Sequence, residues 1–358
     1  MNYSIKIRKL GFFLFCMALF TRSAAVFGFE ITDALGRTLS FERAPERIVV
    51  AGRGLVMVAD ALYLFSEARS RVIAVEKITL GKGGFLPAID PAFSMKTELP
   101  IEVGVEPIVS LRPDAVLMKS YMQQKLGQRL EALDVPVVYL EFETPRQYER
   151  DLMVLGTLLQ NRARAEYLVS HFRDRAAQVE KRIATHPDRE RPRVLFLYYS
   201  ERGGGRAFNV PPGSWMQTIL VERARGDPVW TEIGAGRGWA RVSFEQIAAW
   251  DADYIFVTSY FTDVDKVKAV LLGDPLWISL RAVREGRLFA FPTDYYSWDM
   301  PSSRWILGLT WLAGKLYPHL FADVDLAAEI QTFFRDLYFL DGETYDQHIR
   351  SKLGGDLP

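Results

Sequence analysis

The chain has 358 residues, of which 49% are hydrophobic and 25% charged, and 44 basic side chains balance 44 acidic ones. A neutral chain of this size gives no footing for nucleic acid or an anionic membrane surface as its main partner, and it is long enough to bury two cores. Its one cysteine, Cys16, rules out an internal disulfide framework and a thiolate metal site.

The N-terminus differs from the rest. Lys6, Arg8 and Lys9 precede an apolar run over residues 10–20, and the small residues Ser23, Ala24, Ala25 and Gly28 follow. This is the three-part pattern of a secretory signal, with an apolar run too short for a comfortable membrane span. Residues 1–28 are expected to be a signal peptide and the mature chain to be exported. Cys16 lies inside the apolar run, with Phe-Leu-Phe before it and apolar residues after it. That is a poor setting for a lipid anchor, which stays open as an alternative that mass spectrometry would reveal.

Beyond the signal, residues 29–33 and 37–41 alternate apolar and polar around Gly36, which predicts a small hairpin. A β-branched run at 47–50, a glycine turn and an apolar helical stretch at 55–65 then predict the start of a βαβ unit. Residues 72–75 supply the next strand, and 76–100, rich in Gly and Pro, reads as a long loop with short helices.

The next segment, Glu106-Pro-Ile-Val-Ser-Leu-Arg-Pro-Asp-Ala-Val-Leu-Met-Lys-Ser-Tyr121, reads as helix, turn and buried strand. It is echoed without a gap by Glu245-Gln-Ile-Ala-Ala-Trp-Asp-Ala-Asp-Tyr-Ile-Phe-Val-Thr-Ser-Tyr260, and the shared ends point to an internal duplication. The first copy continues through a helical stretch at 122–133 into a strand at 137–140. A strand at 194–199, a glycine run at 203–205 and a helix at 215–223 precede the second, and a strand at 288–291 follows it. Ser243, three residues before Gln246, caps the second copy's helix.

Between the copies lies one long charged helix over 163–183. Leu168, Phe172, Ala176, Val179 and Ile183 step by four, four, three and four, and Asn161 suits its N-cap. At about 20 residues it is about 30 Å long, enough to run from one lobe to another. The fold class is therefore α/β: two Rossmann-like lobes with parallel sheets joined by one long α-helix. The lobes are expected at 29–160 and 187–358, with the linker helix at 161–186.

Ligands of open α/β lobes bind beyond the carboxyl ends of the strands. That rule selects Arg53, Ser120, Tyr121, Tyr199, Ser200, Ser259, Tyr260 and the segment after residue 291; Asn209, in a stretch read as flexible, joins them. Tyr295, Tyr296 and Trp298 are candidate ligand contacts, whereas Asp299 and Trp305 are assigned to structure, Asp299 as the cap of a helix opened by Pro301. Phosphate-loop, dinucleotide and nucleophile-elbow patterns are missing, and His171, His186, His319 and His348 have no metal-ligand spacing. No cofactor, metal centre or catalytic residue is expected. The rival reading, an exported α/β enzyme, would need Asp294 and Asp299 as an acid/base pair.

Several segments resemble the periplasmic substrate-binding proteins of ABC importers for iron-siderophore, haem and cobalamin. These are Ile31-Thr-Asp-Ala-Leu-Gly-Arg-Thr-Leu39 with Ala44-Pro-Glu-Arg-Ile-Val-Val50, Ser243-Phe-Glu-Gln-Ile247 with Asp251-Ala-Asp-Tyr-Ile-Phe-Val257, and Pro275-Leu-Trp277 with Ala282-Val-Arg-Glu-Gly-Arg-Leu288. The resemblance implies a monomeric periplasmic protein with a shallow cleft and little hinge motion, docking on a membrane permease through an acid on each lobe. By position these acids would be Glu222 and, because Met57 stands where the usual glutamate does, Asp60. Ser297-Trp-Asp-Met-Pro-Ser302 is also similar to a segment of molybdate- and tungstate-binding members. An iron chelate or corrinoid is the expected ligand and an oxyanion the alternative: a broad aromatic bowl would favour the first, a small cavity with converging donors the second.

Overall fold

The computed structural model describes residues 28–81, 84–185, 190–202, 205–233, 236 and 238–357; the signal segment up to residue 27, with Cys16, lies outside them, as do Gly203 and Gly204. The hairpin forms as expected, β1 (Phe29–Thr32) running antiparallel to β2 (Thr38–Phe41). Asp33 closes its turn by accepting from the Leu35 and Arg37 amides.

The first lobe is a parallel sheet of β3 (Ile48–Val50), β4 (Val72–Glu76), β5 (Thr97–Leu99), β6 (Ala115–Lys119) and β7 (Val137–Leu140), in the order β5-β4-β3-β6-β7. Helices cover both faces, so central strands such as β6 are buried along their whole length and appear in the sequence as unbroken apolar runs. β5 lies within the stretch expected to be loop and short helices.

The second sheet is built from β8 (Arg193–Arg202), β9 (Gly205–Val210), β10 (Asp227–Pro228), β11 (Ala240–Val242), β12 (Tyr254–Thr258) and β13 (Leu288–Ala290). Its order is β11-β9-β8-β12-β13, with β10 added beside β8. Its core, β8-β12-β13, is parallel, while β9 and β11 extend it in antiparallel pairing. The stretch carrying Asn209 is thus a strand rather than a flexible segment: Asn209 lies opposite Tyr198 in the ladder, which satisfies its backbone. The echoed segments fill the same place in each lobe, a helix (Val105–Ser110, Phe244–Trp250) leading into the strand one removed from the sheet edge, β6 or β12. Ser243 caps the second of these helices by accepting from the Gln246 amide at 3.3 Å.

The long helix spans Arg162–Ala184, and the Asn161 side chain accepts from the Arg164 amide at 3.1 Å. Its buried face is the expected one, Leu168, Phe172, Ala176, Val179 and Ile183, joined by Ala165. Phe172 packs edge-on against Tyr148 of the first lobe and stacks on Trp305 of the second, with centroids 5.1 and 5.7 Å apart. One helix face therefore packs against both lobes.

Candidate functional site

The strand ends of the two lobes border a cavity of about 810 Å³. Met57, Leu80, Tyr121 and Glu143 form the first lobe's side. Opposite them stands an aromatic wall. The Tyr198 ring lies 5.0 Å from Trp239 and 4.8 Å from Tyr260, and Trp215 meets Trp239 edge-on at 5.5 Å. Ser200, Asn209, Met216, Gln217, Phe261, Met300 and Pro301 complete that side.

Of the residues expected at the site, Tyr121, Ser200, Asn209 and Tyr260 line this cavity. Tyr121 donates from its hydroxyl to the Arg53 carbonyl at 2.8 Å, and burial of the hydroxyl, with Glu143 nearby, pushes its pKa up to about 12. Asn209 donates to the Tyr198 carbonyl and to Ser200 Oγ. Ser120, Ser259 and Arg53 do not line the main cavity. Ser259 borders a side cavity of about 170 Å³, and Arg53 borders another of about 150 Å³, paired with Glu102 at 3.3 Å. Ser120 Oγ donates to Glu141 at 2.8 Å.

Tyr260 is held from below by a carboxylate. Asp299, wholly buried, accepts from the Tyr260 hydroxyl at 2.5 Å, Gln217 Nε2 at 3.0 Å and Thr258 Oγ1 at 2.9 Å, and also from Ser297. Burial, reinforced by the Asp299 charge, raises the Tyr260 pKa well above its ordinary value. Asp299 therefore fixes two cavity residues and caps no helix. The helix begins later than Pro301, at Trp305, because the turn before it is taken up otherwise: the Ser303 amide donates to Asp60.

Three aromatic candidates face inward. Tyr295, Tyr296 and Trp298 are buried and line no part of the main cavity. Tyr296 lies 5.0 Å from Arg304, a fully buried guanidinium that bonds both oxygens of Asp294 through Nε at 3.0 Å and pairs with Asp60 through Nη1, while the Tyr295 hydroxyl donates to the His348 carbonyl at 3.0 Å. Burial alone would lower the Arg304 pKa, but Asp294 and Asp60 outweigh it and raise it well above the ordinary value. Trp298 Nε1 donates to Asp294 at 2.9 Å, and Arg304 lies 4.0 Å over the Phe85 ring. A charge desolvated this completely needs such partners, which is why the aromatic segment turns to the core. Asp294 is thereby consumed, so the Asp294–Asp299 acid/base pair of the enzyme reading faces no common substrate.

Asp60 is corrected by the same cluster. It is wholly buried, accepting from Tyr338 at 2.7 Å and Ser303 at 2.8 Å besides pairing with Arg304, so it has no surface to offer a permease. Glu222 is exposed on the Met216–Arg223 helix. Lys119 is buried between Glu143, at 2.5 Å, and the Glu141 carbonyl; burial lowers its pKa, with Glu143 acting the other way.

The strand-end rule missed Trp215, Trp239, Met57 and Phe261. Phe261 adjoins the Ser-Tyr pair and could have been found by extending that motif by one residue. Trp215 stands at the N-cap of the Met216–Arg223 helix and Trp239 just before β11, where no period marks them.

Known proteins carry similar features. A family model described as periplasmic binding protein matches residues 94–295, more than half of the chain. The molybdate-binding protein MolA of Haemophilus influenzae is 24% identical over 346 residues, covering 86% of this chain and 90% of that protein. An achromobactin-binding periplasmic protein of Dickeya dadantii is 27% identical over 198 residues, covering 53% of this chain and 62% of that protein. Among solved structures, a periplasmic solute-binding protein of Veillonella parvula superimposes with a TM-score of 0.71 at 20% identity, over 90% of this chain and 97% of its own. Molybdate-bound MolA gives 0.71 at 19%, over 87% and 98%. With two α/β lobes, a connecting helix and a cleft between strand ends, the chain belongs to the periplasmic binding protein family, the exported solute-binding components of ABC transporters, and is not an enzyme.

Proposed function

We propose that the protein captures an iron chelate, a siderophore or haem, or a corrinoid in the cleft and delivers it to a membrane permease. The observation that carries this is the cavity itself: about 810 Å³, walled by Tyr198, Trp215, Trp239 and Tyr260 on one side and by Met57 and Tyr121 on the other. Large apolar walls with a few fixed polar groups suit a bulky ligand with extended faces. Tyr121, Asn209 and Tyr260 are the contacts proposed for it, and Glu222 the docking acid of the second lobe.

A molybdate or tungstate oxyanion is the second reading, favoured by the likeness to MolA. The segment 297–302, which prompted it from sequence, speaks only weakly for it. Ser297 bonds within the buried Asp299 network, Trp298 is bound to Asp294, and only Met300 and Pro301 reach the cavity. That segment builds the lobe more than it chooses the ligand.

Isothermal titration against ferric siderophores, haemin, cobalamin, molybdate and tungstate separates the readings. The expected result is a chelate bound with a Kd of micromolar or tighter, at least about 8 kcal/mol of binding free energy. Tight binding of an oxyanion alone would overturn the chelate reading.

A further inference from the structure

Two large aromatic side chains on the cavity wall stand in water. Tyr121, from the first lobe, is 57% exposed, and Phe261, from the second, is 60% exposed. Both line the cavity, so they stand at its open rim, one on each lip.

Neither position is casual. The Tyr121 hydroxyl is tied to the Arg53 carbonyl at 2.8 Å. The next residue, Gly54, sits at φ 72°, and a side chain there would collide with that hydroxyl. One end of Tyr121 is therefore fixed while its ring stays open to the cleft. Phe261 follows Tyr260, whose hydroxyl is anchored on Asp299, and the Thr262 amide closes the turn onto Ser259 Oγ at 3.2 Å. With its neighbours on both sides held, Phe261 borders the main cavity and the 170 Å³ side cavity alike. Aromatic rings held in place lose little freedom on binding and offer a flat face for stacking.

We propose that Tyr121 and Phe261 form a two-sided aromatic clamp, one ring from each lobe, that grips the ligand at the cleft mouth by stacking on flat unsaturated or apolar faces. The clamp rests on the chelate reading and narrows it. It selects a chelate broad enough to touch both lips, and a small tetrahedral oxyanion has no face for either ring.

The test is titration of the wild type, Tyr121→Ala, Phe261→Ala and the double variant with four probes: haemin, cyanocobalamin, a ferric trihydroxamate and sodium molybdate. Phe261→Ala should melt with the wild type, and Tyr121→Ala, which also loses the bond to the Arg53 carbonyl, only slightly below it. For the chelate that the wild type binds, each alanine should weaken affinity about tenfold and the pair about a hundredfold. Tyr121→Phe and Phe261→Tyr, which keep the rings, should stay within about threefold. A double variant that binds the chelate as tightly as the wild type overturns the clamp and leaves the chelate reading standing. A wild type that binds molybdate and no chelate, or none of the four probes, overturns both.

Discussion

Tyr121 and Tyr260 close the two copies of one motif, and the chain uses them in opposite ways. Tyr121 keeps its ring in the open cleft and ties its hydroxyl to a backbone carbonyl; Tyr260 sends its hydroxyl inward to a buried carboxylate and presents a fixed ring to the cavity wall. The difference comes from outside the repeat. In the second lobe the segment 293–304 runs beneath the strand ends and supplies Asp299 to Tyr260. Tyr121 has Arg53 and Gly54 as its neighbours instead. Repetition fixes where a residue stands on the backbone, and the non-repeated segments decide what it faces.

The strongest way to break this asymmetry is to undo the packing of 293–304. Arg304→Met leaves Asp60 and Asp294 buried without their cation and should cost about 3–5 kcal/mol, read from urea unfolding. Because Asp60 belongs to the first lobe and Asp294 to the second, the variant should also loosen one lobe against the other. Unfolding at the wild-type urea midpoint would mean that the ion cluster holds nothing together. Next in size, Asp299→Ala strips the acceptor from Tyr260, Gln217, Thr258 and Ser297 at once, for a loss of about 3–4 kcal/mol. It should also bring the Tyr260 pKa down, since part of the rise comes from the Asp299 charge. An unchanged titration would remove Asp299 as a cause.

The two tyrosines also show what could be read from the sequence alone. Both strand ends were found because parallel strands buried on two faces leave continuous apolar runs, as in β6 and β12, and the rule for open sheets points beyond their carboxyl ends. The linker helix was equally legible, since its buried stripe repeats at helical spacing. β9 was missed because it opens on a glycine and is only partly buried, so no alternation stands out. Tyr295, Tyr296 and Trp298 look like a ligand platform in sequence because nothing local tells inward from outward. Their partners lie elsewhere: Tyr295 bonds the His348 carbonyl, Trp298 bonds Asp294, and Tyr296 lies against Arg304, itself paired with Asp60, an acid far away in the chain. Asp60 itself looks like an ordinary helix acid until that pairing is seen.

A smaller perturbation sharpens the same contrast. Tyr260→Phe deletes a hydrogen bond to a buried carboxylate and should cost about 1.5–3 kcal/mol, whereas Tyr121→Phe deletes one to a carbonyl at a half-open site and should cost about 0.5 kcal/mol. Paired urea titrations measure both. Equal losses would show that the two hydroxyls sit in equivalent environments after all.

The smallest effect is in the alkaline range and belongs to Tyr121. Its pKa is raised from 10.0 to about 12, first by burial of the hydroxyl and then by the nearby Glu143 charge. Between those values the folded protein keeps a proton that the unfolded chain has already lost, so the folded state binds more protons. The stabilisation is complete below about pH 10 and is lost as pH rises towards about 12. Tyr121→Phe should therefore flatten the fall in urea midpoint over that range, by an amount kept small by the exposure of the ring. The difference in tyrosinate absorbance between wild type and variant locates the transition directly. A midpoint near the ordinary tyrosine value would mean that the hydroxyl is not held against Arg53, and the open lip of the cleft would lose its anchored ring.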